Sequence, residues 1–236
     1  VPRVELTLGG QRLELLPQRA VWWPAQRTVM VADVHLGKAA ALAAGGLPLR
    51  EDTAVHAARA DCAALLTLVE QTDATRLLIL GDLVHAERAK HPGVVAAFAD
   101  LAARLHARNA SPWLVVGNHD ARSGDLPESW RLTIVPEGIT EHGLTLRHHP
   151  PADGEAPGPT LCGHLHPAVV LGERAGPGAR AACFWLRSAG CLVLPPFGRF
   201  TGARRVELGR GDRVFVVPER GTPGPVLEVP AGLVRA

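Results

Sequence analysis

Tyrosine is absent from this 236-residue chain, methionine occurs once, and aromatic residues make up only 4% of it. Lysine is scarce as well: of 25 basic residues only Lys38 and Lys90 are lysines. Arginine is the better residue for phosphate recognition, but here it is spread along the whole chain, and 23 acidic residues leave a formal net charge of only +2. That balance is too small to argue for a nucleic-acid partner by itself. No stretch of roughly 18 consecutive apolar residues occurs, so no membrane-spanning helix is expected. There is no C-x-x-C pair; Cys62, Cys162, Cys183 and Cys191 stand far apart and read as buried small residues in a reducing, cytoplasmic setting. The sequence contains no G-x-G-x-x-G, no G-x-x-x-x-G-K-[ST] and no G-x-S-x-G, which leaves the common nucleotide-binding and serine-hydrolase motifs without support. The opening Val1-Pro2-Arg3-Val4-Glu5 alternates and does not read as a signal peptide.

What is present is a foldable, moderately apolar chain, 47% hydrophobic and 20% charged. A chain of this length buries about 70% of its unfolded surface, enough for a core without disulfides or structural metal. At ~150 residues per domain it reads as one domain over 1–236, with a Pro/Gly-rich tail from about residue 222.

Periodicity gives the elements. Val4–Leu8 and Arg12–Leu16 flank Gly9-Gly10 as a hairpin. Thr28–Ala32, Leu77–Leu80 and Trp113–Val116 are apolar on both faces and read as buried strands. Between them, Glu51–Gln71 and Pro92–His106 carry apolar residues near a 3.6-residue period and read as helices, with Pro92 in a first turn. From Leu132 the pattern changes to short strands: Leu132–Val135, Leu144–Arg147, Val169–Leu171, Cys183–Leu186, Cys191–Leu194, Val206–Leu208 and Val214–Val217. Pro150–Pro159 is a loop. The expected fold class is α/β: a two-sheet β-sandwich flanked by helices, in four layers.

The chemistry sits at strand ends. The three buried strands finish in Asp33-Val34-His35, in Gly81-Asp82 and in Gly117-Asn118-His119-Asp120, and ligands in such sheets bind beyond the carboxyl ends of strands. Glycine before Asp82 and before Asn118 permits a tight turn or close backbone approach. Two later segments, Leu146-Arg147-His148-His149-Pro150 and Gly163-His164-Leu165-His166-Pro167, add paired imidazoles. Carboxylates, one amide oxygen and imidazoles make a mixed oxygen and nitrogen set. It suits Mn, Fe or Zn, is too rich in nitrogen for Mg or Ca, and lacks the thiolates of a structural zinc site.

In this order, D-x-H, G-D, G-N-H-D, H and G-H-x-H resemble the motifs of the calcineurin-like metallophosphoesterases across Asp33–His166. The resemblance implies two divalent metal ions: one held by Asp33, His35 and His166, a second by Asn118, His148 and His164, with Asp82 bridging them. Two cations so held clamp the phosphoryl oxygens and supply hydroxide for in-line attack. His119 matches the family's non-ligand catalytic histidine, which stabilises developing charge or protonates the leaving oxygen; Asp120 is expected to orient that imidazole. His149 is the alternative to His148, and the resemblance favours His148. His85 is a candidate for lining the substrate groove.

A narrower resemblance runs through Trp22-Trp23-Pro24, Asp33-Val34-His35-Leu36-Gly37-Lys38, Gly81-Asp82-Leu83-Val84-His85 and Leu194-Pro195-Pro196-Phe197-Gly198. These segments are similar to those of the bacterial ligase-associated DNA damage response endonucleases. That implies a manganese-dependent phosphodiesterase acting on DNA, with single-stranded DNA the expected substrate and a helicase and a DNA ligase as repair partners. A small nucleotide, a lipid pyrophosphate or a phosphoprotein is the alternative substrate class for the same chemistry. Arg147, Arg187 and Arg199 are read as solvated rather than phosphate-bound.

Overall fold

Alternation at the N-terminus builds the first strands. In the computed structural model, which describes residues 3–50, 52–152, 155, 158–172 and 178–234, β1 (Val4–Leu8) and β2 (Gln11–Leu16) form an antiparallel hairpin with Val4 opposite Leu15. β3 (Ala20–Trp23) continues the meander and pairs with β4 (Thr28–Val31), Val21 opposite Met30. From β4 onward the pairing is parallel, through β5 (Arg76–Leu80), β6 (Ser111–Val115) and β7 (Thr133–Val135). The sheet order is therefore β1 through β7 in sequence.

The crossovers are helical. α1 (Lys38–Ala44) and α2 (Thr53–Thr72) link β4 to β5, and α3 (Pro92–His106) links β5 to β6. The helix expected from Glu51 thus runs Thr53–Thr72; Glu51 itself lies outside the described residues. Past their first residues, Thr28, Arg76 and Ser111, the central strands are apolar because both faces are covered. Val29, Val31, Leu77 and Ile79 meet Leu65, Val69, Phe98 and Leu101 of the helices. The alternate residues Met30, Ala32, Leu78 and Leu80 meet Leu146, Leu161, Phe184 and Leu192 of the second sheet. The period of two thus assigns each residue to one of two cores.

The second sheet contains β8 (Ile139–Glu141), β9 (Leu144–Leu146), β10 (Thr160–Cys162), β11 (Pro167–Leu171), β12 (Ala179–Arg187), β13 (Cys191–Val193), β14 (Arg204–Arg205), β15 (Arg213–Val216) and β16 (Leu227–Val229). The chain is therefore α/β, with two sheets face to face and flanking helices, the fold class expected from sequence. α2 and α3 both pack on the first sheet. The stretch from residue 222 supplies β16, which pairs with β15; residues 235 and 236 lie outside the described residues, as do 153, 154, 156 and 157 of the Pro150–Pro159 loop. The strand expected at Val206–Leu208 is instead the two-residue β14 just before it.

Register decides where the site falls. Val31 is opposite Ile79 and Leu80 opposite Val115, so β4, β5 and β6 end level with one another. In the second sheet β10 lies parallel between β9 and β13, with Thr160 opposite both Thr145 and Cys191. The residues after β9 and β10 then meet those after β4 and β5: His148 Nδ1 lies 3.1 Å from the Leu80 carbonyl oxygen, and the His164 N–H donates to Asp33 Oδ2 at 2.9 Å.

Candidate metal centre

Five of the candidate residues, Asp33, His35, Asp82, His164 and His166, have φ between 49° and 69°. This left-handed conformation costs non-glycine residues of order 1 kcal/mol or more, and such strain concentrates at functional sites. Each is held there by neighbours: the Asp33 N–H donates to Gly81 O and the His35 N–H to Asp82 O, at 3.1 and 2.9 Å.

The glycines of the motifs answer to crowding. A Cβ on Gly81 would lie 2.1 Å from His148 Nδ1, one on Gly117 2.3 Å from Asp82 Oδ1, and one on Gly163 2.7 Å from Asp33 Oδ2. Gly81 also sits at φ 80°. Changing Gly81 to Ala should therefore displace His148 and cost about 2–3 kcal/mol of stability, read as a lower denaturant midpoint in the metal-free protein.

All seven proposed ligands converge. Asp33, His35 and His166 form one grouping whose ligand atoms lie within 4.8 Å of one another, and Asp33, Asp82 and His148 form another. The Nε2 atoms of His35 and His166 face each other at 3.4 Å. On the other side, His148 Nε2 lies 3.1 Å from both Asn118 Oδ1 and His164 Nδ1. Asp82 stands between the halves, its Oδ2 3.4 Å from His148 Nε2 and 3.7 Å from His35 Nε2.

Of the paired histidines, His148 is fully buried in this cluster. His149 is turned toward Glu137, which accepts its backbone N–H at 2.7 Å and lies 3.0 Å from its Nδ1. A third grouping nevertheless includes His149 with His148 and His164.

The donor set fits cations on three grounds. First, Asp33 Oδ1 is buried and makes no hydrogen bond among the described residues, although His166 Nε2 is 3.2 Å away; a carboxylate oxygen so placed calls for a positive partner. Second, the outer ring nitrogens of two of these histidines are occupied by backbone. His148 Nδ1 faces Leu80 O, and His166 Nδ1 faces Gly202 O at 3.0 Å. Those contacts fix the tautomer and turn the inner nitrogen's lone pair into the cluster, as ligating histidines require. Third, charge is tightly coupled. Burial alone would raise the Asp82 pKa, but the hydrogen bond and charge of His148 hold it down to about 2. Burial would strip His148 of its proton, yet Asp82 and then Asp33 hold its pKa up to about 9. A cation bound here would compete with that proton. For His35, burial dominates and pushes the pKa down to about 2, with Asp82 opposing.

Two residues read differently from expectation. Asp120 does not orient His119. It sits at N3 of α4 (Asn118–Ala121) and reaches back, accepting from Gly117 N–H at 3.0 Å and Val84 N–H at 2.9 Å. Burial pushes its pKa up to about 6 against those two donors. The His119 imidazole is held by the His85 carbonyl instead, 2.6 Å from its Nδ1. His85 is correspondingly closer to the centre than a groove-lining residue: its Nδ1 is 3.2 Å from His35 Nδ1 and its ring stacks on His119 at 4.7 Å. His35, His85 and His119 form the remaining grouping with ligand spacing.

Lys38, which closes the Asp33–Lys38 segment, also stands near the cluster. It opens α1, and its charge is felt by His35 and His85; burial lowers its own pKa while Asp33 and Asp82 oppose. Lys38 is one of only two lysines in a chain that otherwise uses arginine.

No family model matches the chain, and no curated protein matches it. Among solved structures it is similar to the Pseudomonas putida nuclease MPE, with 33% sequence identity and a TM-score of 0.75 over 91% of this chain and 96% of that one. At that identity, across nearly the whole of both chains, this chain belongs to the family of the Pseudomonas putida nuclease MPE.

Proposed function

We propose that this chain is a metal-dependent nuclease, a phosphodiesterase that cuts within DNA strands and prefers single-stranded DNA. The observation that carries the reading is Asp82, a buried carboxylate within 3.7 Å of an imidazole nitrogen from each half of the cluster. The nuclease relative supports the substrate class. The segments Trp22–Pro24, Asp33–Lys38, Gly81–His85 and Leu194–Gly198 support DNA repair as the setting.

In this reading Asp33, His35 and His166 hold one cation, and Asn118, His148 and His164 hold the second, with Asp82 shared. Manganese suits this nitrogen-rich set. When bound, the pair supplies Lewis-acid activation of the phosphoryl group and of the attacking water. The protein's own contribution is position. Asp120 fixes the backbone on both sides of the cleft by binding Val84 and Gly117. Asp82 Oδ1 accepts the His119 N–H at 2.9 Å, which ties the start of α4 to the metal-binding carboxylate. His119 Nε2 lies 4.0 Å from Asp82 Oδ2 on a side chain 35% exposed, placed to give a proton to the departing oxygen.

The test is incubation with circular single-stranded DNA and added Mn²⁺. An endonuclease opens the circle, and linear product followed by shorter fragments is expected. Intact circles alongside turnover of 4-nitrophenyl phosphodiesters would reject cutting within DNA strands and leave phosphodiester hydrolysis standing; a linear strand that also stays intact would reject DNA as substrate.

A further inference from the structure

Beside the metal centre lies a second concentration of charge. The Pro17–Arg19 turn joins β2 to β3 at the same edge where β4 ends, because β3 runs antiparallel to β4. It faces Phe197, Arg199 and the 218–224 segment across a cleft of about 330 Å³. Arg19, Arg199 and Arg220 all line this cleft.

Two of the three lack a carboxylate partner among the described residues. Arg19 Nη1 donates to the Pro196 carbonyl at 3.2 Å, and Arg220 donates to the carbonyls of Pro196 and Phe197. Neither forms an ion pair among the described residues. Arg199 Nε lies 3.2 Å from Asp61 Oδ1 on α2. Asp61 and the exposed Glu219 at the rim are the acids here, so three cations face two carboxylates. Burial lowers the pKa of Arg220 to about 10, and the charges of Arg19 and Arg199 press it down further than Asp61 restores. Half-buried guanidinium groups in this state are stabilised by an incoming anion, and their planar forks suit a phosphate.

One segment joins this cleft to the metal ligands. The Phe197 N–H donates to Ala32 O at 2.8 Å and the Gly198 N–H to Asp33 O at 3.0 Å. The contact is so close that a Cβ on Gly198 would lie 1.9 Å from Val34 O. A few residues on, the Gly202 carbonyl faces His166 Nδ1. The wall of the arginine cleft is therefore also the support of Asp33 and His166.

We propose that Arg19, Arg199 and Arg220 form a phosphate-binding cleft that grips a backbone phosphodiester of the nucleic-acid strand at a distance from the scissile one. The inference rests on the nuclease reading above. It predicts affinity without base preference, since phosphate contacts position a strand and do not read its sequence.

The test compares the parent with an Arg19→Gln/Arg220→Gln double variant, both with Mn²⁺. On a single-stranded oligonucleotide, kcat/KM should fall about tenfold near physiological salt, and its log–log salt slope should flatten by about 1.4, or 0.7 per lost contact. Turnover of bis(4-nitrophenyl) phosphate, too small to span the cleft and the metals, should fall much less, because both substrates share any loosening of the Pro196–Phe197 segment that supports Asp33 and only the oligonucleotide loses the phosphate grip. Equal falls on the two substrates would overturn the inference. Parent-like kcat/KM and slope on the oligonucleotide would overturn the inference while leaving the nuclease reading intact. A parent protein that hydrolyses the small diester and not the oligonucleotide would overturn the nuclease reading and this inference with it. A measurement on the parent covers a variant that does not fold. A nuclease-resistant phosphorothioate oligonucleotide should slow phenylglyoxal modification of Arg199 severalfold, and an unchanged rate would overturn the proposal.

Discussion

Replacing Asp82 with Ala should lower turnover of both DNA and bis(4-nitrophenyl) phosphate by about 10³-fold or more with Mn²⁺ present, matching the loss of several kcal/mol of transition-state charge stabilisation. The side chain is almost wholly buried. It contacts the imidazoles of His35 and His148 and the backbone of His119 at once. Removing it takes away the proposed shared ligand, the charge that balances His148, and the acceptor that ties down α4. The same substitution should shrink the rise in melting temperature that Mn²⁺ gives the parent. A ligand at 100 times its Kd contributes about 2.7 kcal/mol to the folded state, and a site without its central carboxylate forfeits most of that. A variant that keeps both its turnover and its manganese-induced stabilisation would show that the two halves of the cluster do not share Asp82. Asp82→Asn separates charge from shape: it keeps an oxygen for the His119 N–H, so loss of activity in both variants assigns the effect to the charge.

The legible part of this molecule lies where both faces of a strand are covered. β4 and β5 are continuous apolar runs that stop at Asp33 and Asp82, and level parallel register brings those stops together. The runs are local to the sequence; the register joins residues far apart in it, such as Thr28 and Arg76. The second sheet was harder. β8, β10 and β16 are three residues each, as are β9 and β13, so length alone does not separate the strands the sequence displays from those it hides. Thr160-Leu161-Cys162 becomes a strand because β9 and β13 offer edges on both sides. β3 is as buried at every position as β4, but two of its four residues are tryptophan, so it does not read as an aliphatic run. α1 escaped for a different reason: Lys38–Ala44 is mostly alanine, with Ala39 its one buried residue, and leaves no apolar stripe. The site divides along the same line. The ligand candidates are strand-end residues, gathered at one edge by where the strands stop, while left-handed backbone at five of them sets where each side chain points. Asp120 follows His119 directly, which suggested that the two side chains meet. Helix geometry instead turns an N3 carboxylate back toward the N-cap N–H, away from its neighbour's ring. Glu137 as the partner of His149, and Asp61 among the arginines, are separated in sequence from their partners by 12 and 138 residues, and no local pattern announces them.

His119 should show a loss that depends on the leaving group. Its Nδ1 is committed to the His85 carbonyl, which leaves Nε2 as the atom that can exchange a proton at the cleft. The ring is clamped between that carbonyl contact and the stacked face of His85, so its position does not depend on substrate. Cutting DNA expels an alkoxide, a strong base that needs a proton as the bond breaks; 4-nitrophenolate leaves well without one. His119→Gln keeps a polar group of similar reach and removes the acid. It should slow DNA cleavage by about 10²–10⁴-fold, the range for one positioned acid, and slow 4-nitrophenyl diester hydrolysis by about tenfold or less. Because His119 also stands in ligand spacing with His35 and His85, metal loss is the competing explanation, and it makes a different demand. A ligand's removal would depress both substrates alike and reduce the thermal stabilisation by Mn²⁺. Unequal losses with that stabilisation preserved would assign His119 to proton transfer, and equal losses with it diminished would assign His119 to the metal.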